Sequence, residues 1–282
     1  MSAFPKNRLL QMLADRIVPL GMQCFTGNAA LIEVLGLTGF DWVMLDAEHS
    51  GNNVRAMEEL VRTADSAGLI PIVRVSDRHN ETEIRRALEA GAEGLLIPMV
   101  RSAADVTFAA NSAFFPPKGT RGICPAIRAA NYNFRSFEEY TRWNNSEVLI
   151  IPMVEHPEAV ENIEEICAHE DVKVLVFGAG DLCYAMGEGT QMMKSPKVQA
   201  AYRKVLEATK RHKVAVIGGP VLDPNAQACR KALDDGVSIF CLGLDTLAFR
   251  RYCEQTVNEV SRGVEGSGYT RPPVPPSGFP DR

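Results

Sequence analysis

The sequence predicts an α/β fold: a TIM (β/α)8 barrel with an extra N-terminal helix and an extended C-terminal tail. Three observations carry that expectation. Eight short apolar runs recur along the chain, segments with helical spacing separate them, and the repeat spans about 250 residues, the usual size of such a barrel. The runs cover 20–25, 42–45, 70–73, 95–99, 148–154, 174–177, 214–217 and 238–242. Short, wholly apolar strands suit a parallel sheet covered on both faces. Helical spacing of apolar residues covers 54–67, 81–90, 157–169, 198–212, 224–233 and 246–262. The order helix, glycine, strand repeats at 35–39, 87–91 and 232–236, and Gly39, Gly68, Gly91 and Gly236 suit left-handed helix caps. A doubly wound sheet is the competing arrangement, but no G-x-G-x-x-G follows the first run.

Composition narrows the class of function. With 282 residues, 46% hydrophobic and 23% charged, the chain has enough apolar material for one large core. The net charge of −5 and the lack of a basic run argue against nucleic acid as a partner. Seven cysteines without a C-x-x-C pair point to reduced thiols and a cytoplasmic setting. Residues 1–17 read as a polar amphipathic helix, not a signal core, and no apolar run reaches the length of a membrane span. The expected organisation is a barrel domain over 1–262 and a Pro/Gly-rich tail over 263–282.

Chemistry in a barrel sits at the C-terminal ends of the strands. The second run ends in Asp46, Glu48 and His49, and the third in Arg74. The fifth ends in Glu155 and His156, the sixth passes through Gly178, Ala179 and Gly180 to Asp181, and the eighth ends near Asp245. The seventh ends Gly218-Gly219-Pro220, while Lys173 and Lys213 fall at the other ends of their strands. Glu155 and Asp181 lie one βα unit apart, so a barrel makes them rim neighbours that repel unless a cation sits between them. Oxygen-only ligation favours a hard divalent ion such as Mg²⁺ or Mn²⁺; the plainer reading makes each acid a helix cap. His156 is a reserve ligand. Arg74 leaves a buried strand, where it either pairs with a rim acid or binds a substrate carboxylate or enolate oxygen. His49 is either a general base or a solvated polar residue over the barrel mouth. Gly178, Ala179 and Gly180 let backbone approach a ligand closely and lead into a helix start suited to an anion. The long connection over 114–133 is a further candidate for function.

Several of these stretches, in order, resemble the HpcH/HpaI family of class II pyruvate aldolases. They are Phe40-Asp41-Trp42-Val43-Met44-Leu45-Asp46-Ala47-Glu48-His49, Val73-Arg74, Leu96-Ile97-Pro98-Met99-Val100, the 116–122 segment, Val154-Glu155 and Gly180-Asp181-Leu182. The resemblance runs from about residue 18 to 260. It implies a metal-dependent lyase that splits 4-hydroxy-2-oxo acids into pyruvate, or a 2-oxo acid analogue, and an aldehyde. It implies Glu155 and Asp181 as ligands of a divalent ion (Mg²⁺, Mn²⁺ or Co²⁺), with Asp46 and Glu48 holding water around it. By the same resemblance Arg74 neutralises the enolate, and His49 is the base of a dyad whose acid is Glu89. Gly178, Ala179, Gly180 and Asp181 then bind substrate, and the assembly is a homohexamer, a trimer of dimers, with the last helix exchanged. Met153 and the 123–128 segment depart from the family pattern, and the resemblance puts them on the substrate side. A Schiff-base aldolase needs a lysine at a strand tip, and none is predicted there. A CoA-ester lyase of the citrate-lyase β type, or a non-catalytic 2-oxo acid binding protein, are the remaining alternatives.

Overall fold

The computed structural model describes residues 4–134, 136–219 and 224–271. Eight strands form one closed, all-parallel barrel in sequence order: β1 Leu20–Cys24, β2 Trp42–Asp46, β3 Ile70–Arg74, β4 Gly94–Ile97, β5 Leu149–Val154, β6 Val174–Phe177, β7 Ala215–Gly218 and β8 Ile239–Leu244. Helix α1 (Arg8–Ala14) precedes β1; α2 (Ala29–Leu37), α3 (Val54–Ser66), α4 (Glu81–Ala90) and α5 (Ala103–Ala113) follow the first four strands. Next come α6 (Phe137–Glu147), α7 (Pro157–Glu161), α8 (Ile163–Ala168), α9 (Ala179–Ala185), α10 (Pro196–His212), α11 (Ala226–Asp235) and α12 (Asp245–Val264). The TIM barrel expected from the eight apolar runs is the fold observed.

Helix starts are written locally. Asn7, Asn28, Asn53, Asn80 and Asn225 each cap a helix by accepting a bond from an amide of its first turn; replacing one such cap by alanine typically costs about 1 kcal/mol. The four glycines expected as left-handed caps all have positive φ. The 157–169 segment divides into α7 and α8 at Asn162, whose ψ of 13° leaves the helical basin. The N-terminal helix is shorter than the 1–17 expected.

Period-two alternation sorts the strands into two layers. Trp42 and Met44, Ile70 and Ile72, Leu149 and Ile151, Val174, Ile217, Ile239 and Cys241 form one buried cluster inside the barrel. Val43, Leu45, Val73, Leu95, Ile150, Leu175 and Val216 belong to the second, which packs under the helices. Leu9 of α1 is fully buried in the inner cluster, against the residues that begin the strands, so α1 closes the N-terminal end of the barrel.

The chain forms two compact units, Met1–Asp245 and Thr246–Arg282. The second holds the rest of α12 and the residues after it; of the expected tail, 272–282 lie outside the described residues, as does Pro220. Among the described residues no helix is long and apolar enough to cross a membrane.

Candidate active site

Continuing the inward series to the C-terminal ends of the strands names the site. Residues 42 and 44 lead to Asp46, 70 and 72 to Arg74, 149 and 151 to Met153 and then Glu155, and 174 to Gly178. Asp46 and Arg74 are register partners across β2 and β3. The Asp46 carboxylate is fully buried and accepts from Arg74 Nε at 2.6 Å. It also accepts from the Glu48 amide at 3.2 Å and the His49 amide at 2.9 Å, so the loop after β2 is wound around it. The Ser50 hydroxyl and Asn52 Nδ2 close that loop by donating to the Asp46 carbonyl. The winding brings Glu48 back, and its Oε2 accepts from Arg74 Nη1 at 2.9 Å. The guanidinium stands 5.4 Å from the Phe25 ring. Its Nη2 is buried and has no hydrogen-bond partner among the described residues. A buried donor left unpaired is costly and calls for an explanation.

Glu155 is held from the side. Its Oε1 accepts from the Met99 amide at 2.7 Å, and Met99 reaches that position in a left-handed conformation, φ 50°. Gly178 makes room for it: a Cβ there would stand 2.6 Å from Glu155 Cβ and 2.8 Å from Oε2. Burial pushes the Glu155 carboxyl up to about 7; the Met99 amide opposes this, and the charges of Glu48 and Asp181 push it further up. Glu48 is also raised, first by burial, against the pull of Arg74 and His49. Asp181, exposed in the first turn of α9, acts electrostatically on both. Asp46, Glu48, Glu155 and Asp181 thus surround one arginine, and the cluster is short of positive charge.

That deficit tests the fit of a cation. Two carboxylates with water completing the shell is how Mg²⁺ is commonly held, and Glu155 and Asp181 supply oxygen donors only. Among the described residues no group of three or more His, Cys, Asp or Glu side chains is arranged to hold a metal, so water or substrate must complete the coordination. The residues present fit a hard divalent ion on that footing.

The other expected residues divide. The His49 side chain is 59% exposed, with Nε2 3.6 Å from Glu48 Oε2. Glu89 is not brought to it. Helix α4 leaves the tip of β3 and runs back, so Glu89 in its last turn lies at the far end of the barrel, 4.0 Å from Arg85. His156 caps α7 instead, its Nδ1 accepting from the Glu158 amide. Asp245 staples the rim, accepting from the Phe25 and Thr26 amides and the Thr26 hydroxyl. The 114–133 connection follows α5, not the tip of β4. Arg121 within it bonds Asn144 and Tyr140, and Arg128 bonds the Ala90 carbonyl, so within one chain it lies by the end of α4, away from the strand tips. The expectation that 123–128 lines the substrate side is corrected for the single chain, because a connection leaving the end of α5 emerges at the N-terminal face. Among the described residues no lysine is buried. Met99 was not legible, since an amide donor carries no side-chain signal.

A family model described as HpcH/HpaI aldolase/citrate lyase matches residues 21–251. The chain belongs to that family. It therefore stands among the carbon–carbon lyases of the class II pyruvate aldolase type. The 5-keto-4-deoxy-D-glucarate aldolase of Klebsiella pneumoniae subsp. pneumoniae is 31% identical over 249 residues, covering 88% of this chain and 93% of that one. A solved HpcH/HpaI aldolase/citrate lyase family protein from Burkholderia cenocepacia has a TM-score of 0.82 at 30% identity, covering 90% of this chain and 99% of that one. Protein CitE from Mycobacterium tuberculosis, solved with magnesium and acetate, shares the fold alone, at TM-score 0.52 and 14% identity over 80% of this chain and 85% of that one.

Proposed function

We propose that this protein cleaves 4-hydroxy-2-oxo acids to pyruvate, or a close 2-oxo acid analogue, and an aldehyde, and catalyses the reverse condensation. The observation that carries the reading is Arg74: a buried guanidinium fixed by two carboxylates, with Nη2 left over for an anionic oxygen. Planar, charge-assisted donation to a carboxylate or enolate is what arginine does well. Glu155 and Asp181 would hold a divalent cation (Mg²⁺, Mn²⁺ or Co²⁺), which when bound supplies Lewis-acid stabilisation of the developing negative charge. Asp46 and Glu48 keep Arg74 in place, so its field needs no reorganisation as charge builds. His49 takes the proton from the C4 hydroxyl. The C3–C4 bond breaks, the aldehyde departs, and a proton returned to C3 of the enolate completes pyruvate. General-base assistance of this kind typically contributes about 10²–10⁴-fold. Gly178 leaves room for Glu155 itself, Gly180 leaves open space beside it, and the backbone from Gly178 through Ala179 and Gly180 to Asp181 would bind the 2-oxo acid. Glu89 has no part in the proposal for a single chain.

The same reading includes a cytoplasmic homo-oligomer, a hexamer built as a trimer of dimers. Leu37 and Phe134, 87% and 95% exposed, are apolar surface that assembly would cover. Light scattering of the purified protein tests the hexamer.

The deciding experiment couples released pyruvate to lactate dehydrogenase across several 4-hydroxy-2-oxo acids. Activity should vanish with chelator and return with Mn²⁺. Arg74→Ala and Glu155→Ala should abolish turnover while retaining the far-UV circular dichroism of the parent. A borohydride-trapped pyruvate adduct, or parental rates in either variant, would overturn the reading. Cleavage of acyl-CoA esters without aldol turnover would replace it with the citrate-lyase β alternative.

A further inference from the structure

The turn after α9 holds a strained residue against the site. Met192 has φ 46°, in the left-handed region that unbranched and branched L side chains alike avoid. It is pinned there from both sides. Its amide donates to the buried Cys183 thiol at 3.1 Å, and its carbonyl accepts from the Ser195 amide at 3.1 Å. Ser195 is itself fully buried and bonded to Glu188, which also pairs with Lys197. Burial does not offset that strain, because Met192 is 51% exposed. Its methyl instead lies over the first turn of α9, 4.0 Å from where a Cβ on Gly180 would stand, one residue before Asp181. Met193 next to it is exposed as well, with Gln191 and Lys194 exposed on either side of the pair. Strain kept without burial is the kind found where a side chain serves a ligand. A thioether is a flexible, polarisable contact for apolar groups of varied shape.

We infer that Met192 is a specificity-determining residue whose side chain walls the aldehyde-derived tail, C5 and beyond, of the 4-hydroxy-2-oxo acid. The substrate class it selects carries an apolar alkyl tail. This rests on the aldol reading, which supplies the substrate whose reacting end lies at Arg74 and Glu155 and whose tail must pass the rim at Gly180.

The test separates the two halves of the substrate. Exchange of the pyruvate methyl protons in D2O, with Mn²⁺ present, needs only the pyruvate half and reads the chemistry. The ratio of kcat/KM for 4-hydroxy-2-oxohexanoate to that for 4-hydroxy-2-oxopentanoate reads the tail. The parent should favour the longer acid by about fourfold, the worth of one buried methylene. Met192→Ala should bring the ratio near one, Met192→Leu should restore it, and pyruvate exchange should be equal in all three proteins. An unchanged ratio in Met192→Ala, or a loss of exchange matching the loss of cleavage, would overturn the inference while leaving the aldol reading standing. Absence of both exchange and cleavage in the parent would overturn the aldol reading, and this inference with it.

Discussion

Asp46→Ala is the most direct test of how the site is held. The side chain removed is fully buried and accepts three bonds, from Arg74 Nε, the Glu48 amide and the His49 amide. Removing one partner of a buried ion pair strands the other charge, a change that typically costs about 3–5 kcal/mol. Glu48 still accepts from Arg74 at 2.9 Å, which places the expected value at the lower end of that range. For a domain of this size such a loss lowers the melting temperature by about 6–20 °C. Urea denaturation of the metal-free protein measures it, read as a shift of midpoint at constant slope. The same substitution in an Arg74→Met background should cost far less, because no buried charge is then left without a counterion. A single-variant loss below about 1 kcal/mol, or equal losses in both backgrounds, would refute the claim that Asp46 exists to hold Arg74.

Gly178→Ala places a methyl group 2.6 Å from Glu155 Cβ, so Glu155 must shift; turnover should fall by about 10²-fold, with the fold retained by circular dichroism. Metal-free stability should depend on pH through Glu155. Its carboxyl is raised from 4.5 in the unfolded chain to about 7 in the native one, so the native state binds the extra proton. The stability present below about pH 4.5 is therefore lost as pH rises through about 7, by about 3 kcal/mol for this group. Urea midpoints from pH 4.5 to 8 measure that slope, and saturating Mn²⁺ should abolish it, since a ligated Glu155 stays ionised.

Much of the site was legible because burial and alternation act on single residues. An arginine at the end of Ile-Val-Arg-Val had to find a counterion, and period two put Asp46 opposite it. The acids at 155 and 181 followed from adjacent strands of a closed barrel. What sequence could not give were features built from backbone or from the direction of a helix. Met99 serves Glu155 through its amide, and no side-chain pattern announces an amide. Glu89 and the 123–128 segment follow helices that run away from the strand tips, so their distance from His49 emerges only once the barrel is closed. Asp245 resembled another rim acid until its bonds to Phe25 and Thr26 showed it tying the first strand to the last. The single helix expected over 157–169 broke at Asn162, where apolar spacing continues on either side of the kink.

The filled interior leaves the barrel a single door. Inward side chains such as Trp42, Ile72, Ile151, Ile217 and Ile239 occupy it, with Leu9 of α1 packed among them, so nothing passes through. Whatever enters must leave by the same mouth, and the deeper of two guests is trapped until the shallower has gone. In the proposed reaction the fragment gripped by Arg74 is the deeper one. The packing of the core beneath the mouth thereby dictates the sequence of departure above it.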